Sequence, residues 1–365
     1  MKGYTEAELQ QAIEDVKNGA GIREASIKWS IPRSTLQGRL KGQITQSEAQ
    51  IDYQRLSPAQ EERLTAWIIA QEAIGLGLTH SQIRSFANRI LKLQGILQPI
   101  GQKWVTGFFR RNPSIKTKRA RKVDSLRVTA ATTQVLKDWF PLFNLPAVRA
   151  VKLANRWNVD EAGIAEGAGT NGLIVGSRFT NAIAQKKPGS RTWISFIECI
   201  SAEGQALDPL VIYKGVNVQQ QWFPTVISDL EQYRTWSFTS TPKGWTTNAT
   251  GLEWLLKIFI PRSQPDNPQE PRLLILDGHG SHSTTDFIWN CYINNIFLLF
   301  LLPHSSHLLQ PLDLSIFSSM KTAYQKELGK LTGILTSTTV GKRLFLHCYN
   351  TARIASLTNQ NIKSS

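Results

Sequence analysis

The sequence predicts a multidomain chain, with N-terminal all-α helix-turn-helix modules followed by a larger α/β core. Three observations predict it. Lys and Arg outnumber Asp and Glu by 42 to 27 in 365 residues, a formal charge of +15, and an excess of that size favours a polyanionic partner, nucleic acid first. Helix-start signals followed by apolar residues at helical spacing recur between Thr5 and Pro113. Beyond Arg156, short apolar runs alternate with helical stretches, the pattern of a mixed sheet.

Composition narrows the possibilities further. Hydrophobic residues make up 41% of the chain, enough for sizeable cores and against wholesale disorder. Cys199, Cys291 and Cys348 form no CxxC pair, so no disulfide framework is expected and a reducing compartment fits. The opening MKGYTEAELQ is polar and shows no secretory signal. The longest strongly apolar run, Ile296 to Leu302, stops at Pro303 and is too short to span a bilayer. The expectation is a soluble, intracellular protein with neither a membrane nor a small-molecule substrate as partner.

The first module is expected over residues 1–45. Thr5 and Glu8 form a capping box, Leu9, Ala12, Ile13 and Val16 an apolar stripe, and Asn18-Gly19 a helix end. A short helix near Ile22–Trp29 precedes a third helix opened by Pro32. That helix carries Arg33, Ser34, Thr35, Gln37 and Arg39, side chains suited to phosphates and base edges. A second helix-turn-helix module is expected over residues 50–115. Capping boxes lie at Ser57–Gln60 and Thr79–Gln82, and Trp104, Val105, Phe108 and Phe109 mark a last helix ending at Arg110-Arg111 before Asn112-Pro113. Its aromatics recur on one face, which suits core packing better than base stacking. Lys103, Arg110 and Arg111 are its candidate DNA contacts.

A basic arm and linker is expected over 116–150. Lys116, Lys118, Arg119, Arg121 and Lys122 suit a solvated tail, a nuclear import signal or a phosphate-binding arm. Beside two DNA-binding candidates the functional readings are preferred, with double-stranded DNA as partner and affinity falling steeply with salt.

The α/β core is expected over 151–358, with strands near 156–159, 192–200, 210–213, 273–276 and 297–301. Helices are expected near 130–143, 247–260, 284–290, 314–329 and 340–354. Two strands run directly into an aspartate, Asp160 and Asp277, and a third, Asp313, falls in the first turn of a helix opened by Gln310-Pro311. Side chains at the carboxyl ends of strands project beyond the ladder and gather ligands. Three carboxylates on separate elements form a hard-oxygen set suited to two Mg²⁺ or Mn²⁺ ions, which can hold the attacking and leaving oxygens of a phosphodiester. Glu161 is auxiliary, because strand neighbours face opposite ways. His279 and His282, and His304 and His307, form two HxxH pairs. They sit on Gly- and Ser-rich loops without cysteine support, so orienting carboxylates or touching phosphate is preferred over a zinc site.

These residues resemble the pogo branch of the mariner transposase superfamily over nearly the whole chain. Tyr4–Leu40 resembles its pipsqueak-type helix-turn-helix, and Ser57–Pro113 its centromere-protein-B-type DNA-binding module. Asn158-Val159-Asp160-Glu161-Ala162-Gly163, Leu274–His282 and Leu302–Asp313 match its three catalytic motifs, the last being the most specific. The resemblance implies a ribonuclease-H-like core with Asp160, Asp277 and Asp313 as catalytic metal ligands. It also implies cut-and-paste chemistry at terminal inverted repeats with insertion at TA steps, and a nuclear location. Two DNA ends must meet in such a reaction, which a homodimer would serve. The family usually continues past the motif seen here as Asn361-Ile362-Lys363-Ser364. A second reading therefore stands beside the first: a catalytically inactive, domesticated or decayed sequence-specific DNA-binding protein.

Overall fold

The computed structural model describes residues 4–43, 54–118, 137, 139–166, 192–278, 284–302, 305–334 and 341–365. They divide into two compact units, Met1–Leu64 with Ala87–Asn112, and Thr65–Phe86 with Pro113–Ser365.

The first unit begins with three short helices, α1 (Glu6–Lys17), α2 (Ile22–Lys28) and α3 (Arg33–Leu40). The Thr5–Glu8 capping box forms as the sequence predicts, Asn18 caps the far end, and Gly19 turns the chain at φ +104°. That left-handed turn is where glycine carries no Cβ penalty. Leu9, Ala12, Ala25, Ile31 and Leu36 close a small core, flanked by Trp29 and Leu40. Along the chain three further helices follow, α4 (Pro58–Ala73) and α5 (His80–Leu93), each divided between the two units with Thr65–Phe86 in the second, and α6 (Trp104–Arg111) in the first. Both expected capping boxes form, Ser57 with Gln60 and Thr79 with Gln82. Val105 and Phe108 are buried, and Trp104 stacks on Phe108 at 5.0 Å.

The second unit is built on six strands: β1 (Arg156–Ala165), β2 (Trp193–Ser201), β3 (Leu210–Lys214), β4 (Ser237–Thr241), β5 (Arg272–Leu276) and β6 (Ile296–Phe300). Their order is β4-β3-β2-β1-β5-β6. β1, β2 and β3 pair antiparallel, while β5 runs parallel to β1, β6 to β5 and β4 to β3. An antiparallel meander extended by parallel strands beyond β1 is the arrangement expected of a ribonuclease-H-like core. Its helices include α7 (Asn248–Trp254), α8 (Thr285–Ile293), α9 (Phe317–Ile334), α10 (Lys342–Ser356) and α11 (Asn359–Lys363). The helix expected near 130–143 falls mostly outside the described residues, and Phe140–Asn144 is a 3-10 turn.

Two differences from expectation bear on the site. β1 does not stop at Val159 but continues through Asp160 to Ala165, because β2 pairs with it along the whole length, from Trp157↔Ser201 to Ala165↔Trp193. β4, with sequence SFTST, was not expected, because its burial is shallow and it carries no apolar run.

One face of β1 and β2 carries Ile164, Ile194, Phe196 and Ile200 into a core with Phe317, Met320, Tyr324, Phe345 and Tyr349 from α9 and α10. Glu198 lies within this apolar face. Tyr349 donates to it at 2.6 Å, and Arg353 donates through Nε at 2.7 Å and Nη2 at 3.0 Å. A fully buried carboxylate needs such partners, so this network fixes α10 to β2.

At the sheet margin, the Gln71 amide of α4 donates to the Leu298 carbonyl at 3.2 Å and accepts from the Leu298 N–H at 2.9 Å. Gln71 is fully buried and occupies the position a further strand would take beside β6. Nearby, Trp67 and Phe86 meet Trp289 and Tyr292 of α8, with ring centroids 5.1 to 5.5 Å apart. The expectation that these aromatics are core residues holds, and their partners come from the α/β core.

Candidate active site

Asp160, Asp277 and Asp313 reach one neighbourhood from three elements. Asp160 stands in β1 where that strand has run past its parallel pairing with β5, which covers only Arg156 to Asn158. Asp277 follows the last residue of β5. Asp313 sits in a single π-helical turn, Leu312–Ile316, that leads into α9, a local widening of the helix often found at functional positions.

The electrostatics show how these groups act on one another. The Asp160 carboxyl is pushed up to about 8, first by burial, then by the Asp313 charge, with a smaller push from Asp277. The Glu161 backbone N–H and the Gln310 side-chain amide oppose that rise by donating toward it. Asp313 is also raised, by burial and by Asp277, with Lys321 pulling the other way. The Asp313 and Asp277 charges thus disfavour ionisation of Asp160, and the Asp277 charge that of Asp313.

Two amide side chains that sequence reading did not single out hold these segments together. Asn158 Nδ2 donates to Gln310 Oε1 at 2.6 Å and to the Ile275 carbonyl at 3.2 Å. Gln310 Nε2 donates to the Val159 carbonyl at 3.2 Å. Both are buried, Gln310 completely. Asn158 lies two residues before Asp160, Ile275 two before Asp277, and Gln310 three before Asp313. The bridge therefore ties each aspartate's own segment to the others. The available signal was position: Asn158 shares the strand face of Asp160, and an amide on that inward face needs a partner.

The donor set suits a hard divalent cation, since all three are carboxylates and their mutual repulsion is what such a charge would relieve. Among the described residues no three His, Cys, Asp or Glu side chains stand close enough to grip an ion without adjustment. Glu161 faces away and accepts from the Thr246 N–H at 3.2 Å. His279, His282 and His304 lie outside the described residues, as does the side chain of His307.

The predicted DNA contacts separate into two groups. Arg33 and Ser34 are exposed on α3, while Thr35 and Gln37 are half-buried. Arg39 instead bonds Glu6 and the Gln43 carbonyl, and Arg111 clasps the buried Glu61 through Nε at 3.0 and 3.2 Å. Both guanidinium groups thus hold their own module together. Lys103, Arg110 and Lys116 are exposed, and Lys118 pairs with Glu72 at 2.8 Å. Arg119, Arg121 and Lys122 lie outside the described residues. Arg33→Ala is expected to weaken duplex binding several-fold and lower its salt dependence by about one counterion. Arg39→Ala should instead lower the melting temperature, and circular dichroism with a salt titration of binding separates the two.

Three family profiles match the chain: a helix-turn-helix Psq domain over 5–50, a Tc5 transposase DNA-binding domain over 57–119, and a DDE superfamily endonuclease over 190–365. The MFS-type transporter clz9 of Cochliobolus lunatus is 30% identical over 344 residues, which is 94% of this chain and 33% of that protein. The Chaetoglobosin A biosynthesis cluster protein C of Chaetomium globosum is 26% identical over 165 residues, 44% of this chain and 40% of its own length. The chain thus spans a third of the first of these relatives. Its described residues contain no helix long and apolar enough to cross a membrane. The solved Mos1 transposase paired-end complex with left transposon end aligns over 97% of each chain at 12% identity and a TM-score of 0.37. The Mos1 mariner paired end complex with Mn aligns over 98% of this chain and 97% of its own at 13% and 0.37. In succession along the chain the matched domains are a Psq helix-turn-helix domain, a Tc5 transposase DNA-binding domain and a DDE superfamily endonuclease domain.

Proposed function

We propose that this chain is a DNA transposase that binds terminal inverted repeats, hydrolyses phosphodiester bonds at the element ends and joins the freed 3′ ends to target DNA. Asp160, Asp277 and Asp313 are its catalytic carboxylates and the ligands of two Mg²⁺ or Mn²⁺ ions. The observation that carries this reading is the Asp160 carboxyl, pushed up to about 8 with Asp313 and Asp277 both contributing. Carboxylates kept in mutual repulsion await a compensating charge. The ions, when bound, would supply that charge and Lewis-acid activation of the phosphodiester. The chain's own residues do the positioning. The Asn158–Gln310 bridge holds the three segments in register, and Glu161, facing away, anchors the loop at Thr246. Helices α3 and α6, with the basic arm, hold duplex DNA through phosphates and leave sequence choice to a few side chains such as Arg33 and Ser34. Such a protein acts in the nucleus, and a homodimer would bring two ends together.

A second reading, a DNA-binding protein without catalysis, is favoured by one observation: no group of carboxylates among the described residues is tight enough to hold an ion as it stands. One experiment separates the two. A terminal-repeat duplex is incubated with wild type or Asp277→Ala in Mg²⁺, Mn²⁺ or EDTA. Metal-dependent nicking by wild type alone is expected. Equal nicking by both proteins sinks the carboxylate assignment, and tight, salt-sensitive binding without product in any metal selects the second reading.

A further inference from the structure

Trp193 opens β2, and Trp245 sits in the turn after β4. Their ring centroids lie 5.9 Å apart at 35°, and the two residues remain 39% and 52% exposed. Isolated exposed apolar side chains are ordinary, but two indoles in contact and individually fixed are not. The Trp193 ring lies against β1 at Gly163, where an added Cβ would come within 2.0 Å of the indole Nε1. Only glycine admits the ring at that point. The Trp245 turn is held from both sides: Thr241 Oγ1 donates to the Trp245 carbonyl at 2.9 Å, and the Thr246 N–H donates to Glu161 Oε1 at 3.2 Å. Gly244, at φ +75°, lets the turn close against Lys214. Lys214 and Lys243 are both exposed beside it.

The pair is placed by β1 itself. Gly163 lies three residues beyond Asp160, about 10 Å along the strand at ~3.3 Å per residue, and on the opposite face. Bases in an intact duplex are paired and stacked, so they cannot lie on these rings, whereas an unpaired nucleotide can turn past the strand end. An indole face accepts any base, because every base has a π-face, and flanking lysines attract the phosphates between. Resting on the DNA reading above, we propose that Trp193 and Trp245 form a stacking platform for an unpaired nucleobase of the bound DNA.

The full chain is titrated by fluorescence anisotropy with three DNAs: a blunt duplex, the same duplex with a short unpaired tail, and the same tail made abasic. Wild type should bind the base-bearing tail about tenfold tighter than the abasic one. Trp193→Ala and Trp245→Ala should each erase most of that difference, and Trp245→Phe, which keeps a ring, should retain it. Equal binding of the two tails by wild type, or a preference that survives both alanine substitutions, overturns the platform while leaving DNA binding intact. If the pair instead receives a second copy of the chain, the alanine variants alter sedimentation and not tail preference, which also overturns it. Binding to none of the three DNAs would reject the underlying DNA reading as well.

Discussion

Asp160→Asn is expected to move activity and stability in opposite directions. Loss of a ligand carboxylate should lower strand cleavage on the order of a thousandfold or more. The metal-free protein should nevertheless become more stable at neutral and alkaline pH. The Asp160 carboxyl sits near 8 in the fold, against 3.8 for an ordinary aspartate, because burial and the Asp313 and Asp277 charges oppose its ionisation. The folded state therefore holds this proton more tightly than the unfolded chain. Its contribution to stability is complete below pH 3.8 and is lost as pH rises to about 8. Asparagine has no proton to lose. At pH 8 the variant should gain on the order of 2–4 kcal/mol over wild type, a rise of several degrees in melting temperature, with the two converging near pH 4. Added Mg²⁺ should narrow the gap by stabilising wild type alone. Melting curves that run parallel from pH 4 to 8 would show that Asp160 is not held in mutual repulsion.

The second large effect is expected from Gln310→Leu, which removes a side chain that touches no substrate. Asn158 Nδ2 and the Val159 carbonyl would each lose a partner in a buried setting, at a cost of about 1–3 kcal/mol. The functional loss should be larger, roughly 10–100-fold in activity, since outer groups that orient ligand carboxylates carry effects of that size. A residue that merely filled space would lower stability and leave the metal requirement alone. A positioning residue raises the Mg²⁺ concentration needed for half-maximal cleavage, with partial recovery at high metal. An unchanged metal requirement in a folded Gln310→Leu protein would assign Gln310 to packing only.

Much of this was legible in the residues, for local reasons. Capping boxes at Thr5, Ser57 and Thr79 act over three residues, so their sequence signature is nearly their structure. The apolar strands β2, β3, β5 and β6 were equally plain. The strand end at Asp160 was misplaced because a polar segment stays extended only through its partner, and Glu161 to Ala165 are held by β2. β4 escaped notice for the same reason, since its pairing with β3 supplies what its composition does not. The three aspartates stood out as ends of apolar runs. Asn158 and Gln310 did not, because an amide's importance lies in what it meets across the fold, and that meeting spans 152 positions. Periodicity identified Trp67 and Phe86 as inward-facing but could not say against which surface.

The Gln71 contact has a practical side. A sheet margin left bare offers unpaired N–H and C=O groups to any passing chain, and proteins protect such margins to stay monodisperse. Here the protection comes from a glutamine over 200 positions away, in a helix that a domain profile assigns to the DNA-binding module. A truncated fragment that begins at the endonuclease profile, or anywhere after Phe86, discards this guard together with the aromatic cover over α8. Expressed alone, it would present a sticky rim and a greasy flank, so a soluble nuclease fragment has to be cut upstream of Thr65.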